Sequence, residues 1–375
     1  MDKDKPITSN LDTQDHNWHI VVPVYNEAAR LEKILSALLP LGYADKITFV
    51  NDASTDSSGN ILDKWALRLR CQVMHLRKNA KKEGAIRKAL EHLQNNNRLP
   101  EYTIVLDADS ILMPNSSHTV PELIYQSIVF ARENNISGMA FRLEAMVPKG
   151  HSVLQRCIYY DYTGIQFDNW LTSKSNQLWV INGPGGIFES RKLLPVLQSM
   201  VPDFETGDLL ITVILMKNKE RVAYWPHLAV KTWVPENYGE YFRQRRRWER
   251  GTIKVLWNER QFYLNQFRHG RILAIYVIIY LLFPAGIAML PLVLALADAP
   301  AELMLNILIW NYLFWVSLAG IKCFWSPWLP KKNRTAKILF WSCLNGLLFL
   351  FATAPARITG FVDALKYFSR SRRLE

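Results

Sequence analysis

Several short groups of residues in this chain have types and spacings that could do chemistry. Asp107-Ala108-Asp109 closes an apolar run, and two carboxylates one residue apart at such a place can hold a hard divalent cation that grips a diphosphate. A solvated strand end would use the same residues. Asp52, in VNDASTD, sits in a short acidic turn able to accept hydrogen bonds from a base or ribose, or simply to cap the next helix. Asp208, in ETGDLLITVIL, precedes a run with helical spacing, where it is either a helix N-terminal acid or a general base. Asn182-Gly183-Pro184-Gly185-Gly186 would let a ligand approach the backbone, or is a plain turn. It does not open a helix after the first strand with G-x-G-x-x-G spacing, which excludes a dinucleotide fingerprint. Arg243 to Arg250 holds five arginines with Trp248 among them, a pattern open to nucleic acid, anionic lipid or diphosphate.

The elements that must position these residues alternate between strand and helix. His19–Tyr25, Lys46–Val50, Cys71–Leu76 and Tyr102–Leu106 read as strands, with helices over Glu27–Leu39, from after Ser54 to about Leu69, and over Glu83–Leu93. That alternation predicts an α/β domain with a mostly parallel sheet. Ligands of such sheets bind beyond the carboxyl ends of the strands, so Asn26, Asp52 and Asp107 should face one crevice.

Near Arg271 the composition changes. Residues 272–297, 303–321 and 338–356 contain no charged side chain, and each run is long enough to cross a bilayer. We expect a polar N-terminal tail (1–17), a cytoplasmic catalytic domain (18–252), an amphipathic interfacial segment (253–270), a transmembrane domain (271–356) and a basic C-terminal tail (357–375). Lys322, Lys331, Lys332, Arg334 and Lys337 between the second and third runs keep that loop and the N-terminal domain in the cytoplasm by the positive-inside rule. Three crossings would then put the tail outside, against the same rule, unless one run is a hairpin broken at a proline such as Pro284 or Pro291. The 45 basic and 33 acidic residues give a net charge of +12, which suits an anionic membrane or a phosphorylated substrate. An arginine run beside a membrane argues against a nucleic-acid groove. The four cysteines show no metal or disulfide spacing.

In chain order these motifs resemble the family-2 glycosyltransferases, in particular the membrane branch of cellulose, chitin and hyaluronan synthases. VVPVYNE resembles the family's opening strand, VNDASTD its nucleotide turn, LDADS its D-x-D, NGPGGIFESRKL the loop near the acceptor, TGD the motif of the base, and QRRRW the Q-x-x-R-W signature. The resemblance implies a GT-A-like nucleotide-sugar-binding domain followed by a C-terminal helical transmembrane domain, in a bacterial inner membrane.

It further implies that Pro23, Tyr25, Asn26, Glu27, Asp52, Lys82, Asp107, Asp109, Gln244 and Arg247 bind the donor. Asp109 and Asp107 would hold Mg2+ or Mn2+, Asp208 would be the catalytic base, and Gly183, Gly185 and Trp248 would meet the acceptor. Ala53 and Lys81 stand where glycines are usual, and Gly207 where an acidic residue usually precedes the base. The reading that follows is a membrane-bound, inverting hexosyltransferase using a nucleotide-diphosphate sugar, expected to be UDP-linked, as a polysaccharide synthase forming β-linkages. The alternative is transfer of one or a few sugars to a lipid-linked acceptor, and a third reading is an inactive membrane-tethered binding protein. Partners would be the donor, the glycan or lipid acceptor and the bilayer, with no nucleic acid; a homo-oligomer is compatible. Apolar runs occur only after the catalytic domain, whereas similar synthases usually have them on both sides.

Overall fold

The computed structural model describes residues 17–114, 118–147, 152–200, 205–277, 300–326 and 334–371. The chain runs β1 (Trp18–Val24), α1 (Ala28–Leu38), β2 (Ile47–Asn51), α2 (Ser58–Leu69), β3 (Gln72–His75), α3 (Lys81–Asn95), β4 (Tyr102–Leu106) and β5 (Ser110–Pro114). It continues through α4 (Val120–Glu133), β6 (Ile136–Met146), α5 (Val153–Ser173), β7 (Gly185–Glu189), α6 (Ser190–Ser199), α7 (Gly207–Lys217), β8 (Arg221–Trp233) and α8 (Tyr238–Asn258). After α9 (Arg260–Arg268) and α10 (Ile272–Val277) come α11 (Ala301–Trp325), α12 (Arg334–Leu348), a π-helical turn (Phe349–Thr353) and α13 (Ala354–Ser371).

One sheet organises the catalytic domain, with strand order β3-β2-β1-β4-β7-β6-β8-β5. β3, β2, β1 and β4 are mutually parallel and β6 is parallel to β8, while β7 and β5 enter antiparallel. Pleating sends alternate residues to opposite faces, so Ile20, Val22 and Val24 join one core and Val21 the other. The first core is closed by Leu31, Ile34 and Leu35 of α1, Leu62 and Trp65 of α2, and Leu123, Ile124 and Ile128 of α4. The second is closed by Ile86 and Leu90 of α3, Leu193 and Leu197 of α6, and Leu210 and Val213 of α7. The result is a helix–sheet–helix sandwich in which the parallel strand ends β1, β2 and β4 open on one edge.

Two loops at that edge are tied together. Asn26 Oδ1 accepts from Thr55 N at 2.8 Å, Glu27 N donates to Ser58 Oγ at 2.9 Å, and Ala28 N donates to Asp56 Oδ2 at 3.1 Å. Ala53 at φ 56° and Lys81 at φ 64° both take the left-handed conformation, which explains why glycine is the easier residue at these positions. That conformation costs an L-residue about 1–2 kcal/mol. Ala53→Gly is therefore expected to stabilise the protein by about 0.5–1 kcal/mol after the extra entropy of the unfolded chain. Thermal unfolding checks this; a lower midpoint would mean that the Ala53 methyl has a packing role.

The C-terminal region differs from expectation in two ways. Residues 357–371, expected to begin a basic tail, are helical, and α13 packs on α8: Arg246 pairs with Asp363 at 2.7 Å and Arg357 with Glu249 at 3.6 Å. A β-carbon on Gly360 would lie 2.8 Å from the Arg246 carbonyl oxygen, so only glycine permits this approach. Second, the start of the first apolar run belongs to the catalytic domain, since Leu273 and Val277 share a core with Val255 and Tyr263. Its remaining residues, 278–299, and the N-terminal 1–16 lie outside the described residues. Among the described residues, two helices are long and apolar enough to cross a membrane, Ala301–Trp325 with mean hydropathy 1.6 and Thr335–Tyr367 with 1.7. α11 leaves Leu305, Ile309, Trp310 and Leu313 exposed, while Gly346 of α12 packs against its Tyr312 and Val316.

Candidate active site

The strand ends, the first turns of α3 and α7, and the inner faces of α5 and α8 enclose a cavity of about 670 Å³. Pro23, Tyr25, Glu27, Asp52, Lys82, Asp107, Asp109, Gly183, Asp208, Gln244, Arg247 and Trp248 all line it, although they span more than two hundred residues of sequence. Asn26 and Gly185, expected at the donor and acceptor, do not. Asn26 spends its side chain on Thr55. Gly185 lies in β7, where a β-carbon would come within 2.5 Å of Val230 Cγ2, so its small size serves sheet packing.

At the donor end Asp52 is buried, and its Oδ1 accepts from Ala80 N at 2.6 Å. Burial pushes its carboxyl above the ordinary aspartate range, opposed by hydrogen bonds from the Ala80 and Lys81 backbone. The exposed Tyr25 ring stands at the same mouth as a surface for a planar base.

The D-x-D carboxylates are held differently from each other. Asp109 Oδ1 accepts from Ser110 Oγ at 3.0 Å and from Thr232 Oγ1 at 3.2 Å, and β5 pairs with β8 so that both hydroxyls lie beside it. Asp107 is bridged by Lys82 Nζ, which also donates to the Gly183 carbonyl at 2.8 Å. Burial and then the Asp107 charge raise Asp109 to about 6, and burial and then the Asp109 charge raise Glu27 to about 7. This corner holds more negative charge than Lys82 can offset. Among the described residues no three His, Cys, Asp or Glu side chains close around one point. Two aspartates that leave other positions to phosphate oxygens and water are the usual protein share of an Mg2+ or Mn2+ site, so the donor set fits such an ion.

Asp208, the second residue of α7, extends over the Asn182–Pro184 turn. Its Oδ2 accepts from Gly183 N at 3.0 Å and its Oδ1 from Leu209 N at 2.9 Å. Burial, with the Asp107 charge in support, raises its pKa against the opposing Lys82 ammonium and these two N–H groups. For Lys82, burial works against the charge, but Asp107 and Asp208 outweigh it and hold the ammonium above the ordinary lysine value.

α8 starts at an Asn237 cap, whose Oδ1 accepts from Glu240 N at 3.0 Å. Helical spacing then brings Tyr241, Gln244, Arg245 and Trp248 to the cavity side. Trp248 stacks on Tyr162 with ring centroids 6.5 Å apart, and the Arg245 guanidinium lies 4.6 Å from its ring centre. Arg245 pairs with Asp161, Arg246 with Asp363, and Arg250 with Glu205 and Asp363. Most of the arginine run is thus spent inside the protein, while Arg247 lines the cavity.

Sequence reading missed Glu83, Asp161, Tyr162, Asp168, Thr206 and Lys322, all of which line the cavity. The buried pair Lys322–Asp168, at 2.6 Å, joins α11 to α5. In α5 the polar residues Gln166, Asp168 and Asn169 occupy buried positions, which the sequence alone does not mark.

Residues 19–135 match the glycosyl transferase family 2 profile. Over 269 residues the chain is 24% identical to an N-acetylglucosaminyltransferase of Mesorhizobium japonicum, covering 66% of this chain and 59% of that one. Over 262 residues it is 22% identical to a poly-beta-1,6-N-acetyl-D-glucosamine synthase of Staphylococcus epidermidis, covering 68% and 60%. The chain spans about three fifths of the length of these curated relatives. A mannosyltransferase from Pyrobaculum calidifontis, solved with GDP-Man and Mn2+, shares the fold with a TM-score of 0.52 at 16% identity, over 96% of this chain and 90% of that one. With the D-x-D edge, the Asp208 turn and the Q-x-x-R-W helix around one cavity, the chain has a GT-A-like fold, carries a family-2 glycosyl transferase match over residues 19–135 and resembles polysaccharide synthases.

Proposed function

We propose that this protein is a membrane-bound, inverting, metal-dependent transferase that uses a UDP-sugar to extend a β-linked glycan. One observation carries the glycan reading. The cavity continues from the carboxylates to Trp315, Leu318, Asn345 and Phe349 of the apolar helices, and along that path Thr206, Gln244, Trp248 and Asn345 give it a mixed polar and aromatic lining. Glycan hydroxyls can hydrogen-bond such polar side chains and a pyranose face can pack on the aromatic ring, whereas a hydrocarbon tail would match only the apolar part of that lining.

In this reading Tyr25 and Asp52 hold the nucleoside, Asp107 and Asp109 hold Mg2+ or Mn2+, and Lys82 and Arg247 face the diphosphate. The bound ion supplies positive charge to the departing diphosphate. Asp208 takes the proton from the attacking hydroxyl, whose oxygen bonds to the anomeric carbon as the bond to the nucleoside diphosphate breaks, and the centre inverts. Trp248 offers its face to the C–H side of a pyranose. The exposed apolar face of α11 suits lipid, and α13, docked on α8, keeps residues 354–371 on the catalytic domain's side.

The names of the relatives favour UDP-N-acetylglucosamine as donor. The test is incubation of detergent-purified protein and Mn2+ with labelled UDP-N-acetylglucosamine, UDP-glucose, UDP-glucuronate and GDP-mannose. We expect label from UDP-N-acetylglucosamine in size-separable polymer. A single sugar in the organic extract would overturn the glycan reading and support the lipid acceptor. Turnover of GDP-mannose alone would overturn the uridine assignment, and no turnover at all the enzyme reading.

A further inference from the structure

We propose that Glu83 is an acceptor-binding residue, a carboxylate that α3 places in the space over Gly207, beside Asp208, to take a hydrogen bond from the incoming sugar. The inference rests on the transferase reading above with Asp208 as base.

Its geometry comes from two helix starts that face each other. A β-carbon built on Gly207 would lie 1.9 Å from Glu83 Oε1 and 2.3 Å from Glu83 Cδ, so this acid occupies the volume that any side chain at 207 would need. Gly207 and Asp208 are consecutive at the start of α7, and Glu83 lines the same cavity as Asp208. On α3 the neighbouring Lys82 turns to Asp107 and the Gly183 carbonyl, so consecutive residues serve different parts of the site.

Glu83 is a costly way to fill this space. Burial raises its pKa, the Lys82 charge opposes this and the Asp208 charge adds to it, and among the described residues no other side chain donates to the carboxylate or forms an ion pair with it. Leucine or methionine would pack there without that penalty. A carboxylate facing a cavity offers acceptor sites to hydroxyl donors, and two neighbouring carboxylates match the adjacent hydroxyls of a pyranose. Asp208 would take the attacking hydroxyl, and Glu83 the one beside it.

The experiment compares full-length wild type, Glu83→Gln, Glu83→Asp and the double variant Glu83→Ala/Gly207→Glu, which returns a carboxylate from the opposite helix. UDP-N-acetylglucosamine and Mn2+ are supplied with and without an N-acetylglucosamine tetrasaccharide, and UDP release to water is followed separately from transfer. We expect Glu83→Gln to raise the acceptor KM about tenfold or more while UDP release to water changes less than threefold, with Glu83→Asp and the double variant recovering part of the loss. Equal losses in hydrolysis and transfer, or an unchanged acceptor KM, would overturn the proposal and leave Asp208 as base. If Glu83→Gln fails to fold, the same comparison on Glu83→Asp decides, an unchanged acceptor KM again counting against it. Wild type inactive in both assays would remove the transferase reading itself and this inference with it.

Discussion

Asp208→Asn is expected to lower the rate of sugar transfer by about 10²–10⁴ while UDP binding stays within about threefold, because in the proposed mechanism the change removes the base and little else. The side chains are nearly isosteric, and the asparagine carbonyl can still accept from Gly183 N, the bond that orients Asp208 over the glycine turn. What is lost is the negative charge that receives the proton. The pH profile follows from the environment. Burial, aided by Asp107, lifts the Asp208 pKa, and Lys82 and the two backbone N–H groups only partly offset it. The base works when ionised, so kcat/KM should fall with decreasing pH through a one-proton limb whose midpoint lies above the ordinary aspartate value of ~3.9. Residual activity of the asparagine variant should lack that limb. Transfer measured across about pH 5–9 in both proteins is the check. A variant with wild-type rate and an unchanged acid limb would remove Asp208 from the mechanism.

The second large effect concerns Asp109. A chelator should suppress transfer to about 1% or less, Mn2+ or Mg2+ should restore it, and Asp109→Asn should lose both the restoration and at least tenfold in metal-dependent UDP affinity. The same substitution should raise the thermal midpoint of the metal-free protein at neutral pH. The sign follows from linkage. Asp109 is raised from 3.8 to about 6, so the folded state holds this proton more tightly than the unfolded chain. Its contribution to stability is full below the unfolded value and is lost as pH rises through about 6. At neutral pH the wild type carries an ionised carboxylate in an unfavourable place. Asparagine can still accept from Ser110 and Thr232 without that charge. Calorimetry in chelator, paired with UDP titrations in Mn2+, separates the two effects. A less stable variant would show that Asp109 is structural, and unchanged UDP affinity in Mn2+ would show that it is no metal ligand.

The sequence by itself determined what depends on near neighbours in the chain. Apolar runs ending in Asn26, Asp52 and Asp107 are strand ends because pleating and turn chemistry act over two to four residues, and parallel strands must open these ends on one edge. Gln244 and Trp248 fall on one side of a helix for the same local reason. It also placed Asp208 at the start of a helix, because a helix start is set by its own few residues. Tertiary structure alone decided which distant residues join them. β7 enters antiparallel between β4 and β6, which brings the Gly183 turn under Lys82 and Asp208 but turns Gly185 into the sheet against Val230. Glu83 reaches Gly207 across more than a hundred residues, Asp161 takes up Arg245, and Lys322 of an apolar helix closes on Asp168. The predicted tail became a helix because Asp363 and Gly360 fit α8, a surface that exists only once that helix is folded. Such pairs leave no periodic trace, because their spacing in the chain reflects strand order and helix packing rather than the local repeat of either element.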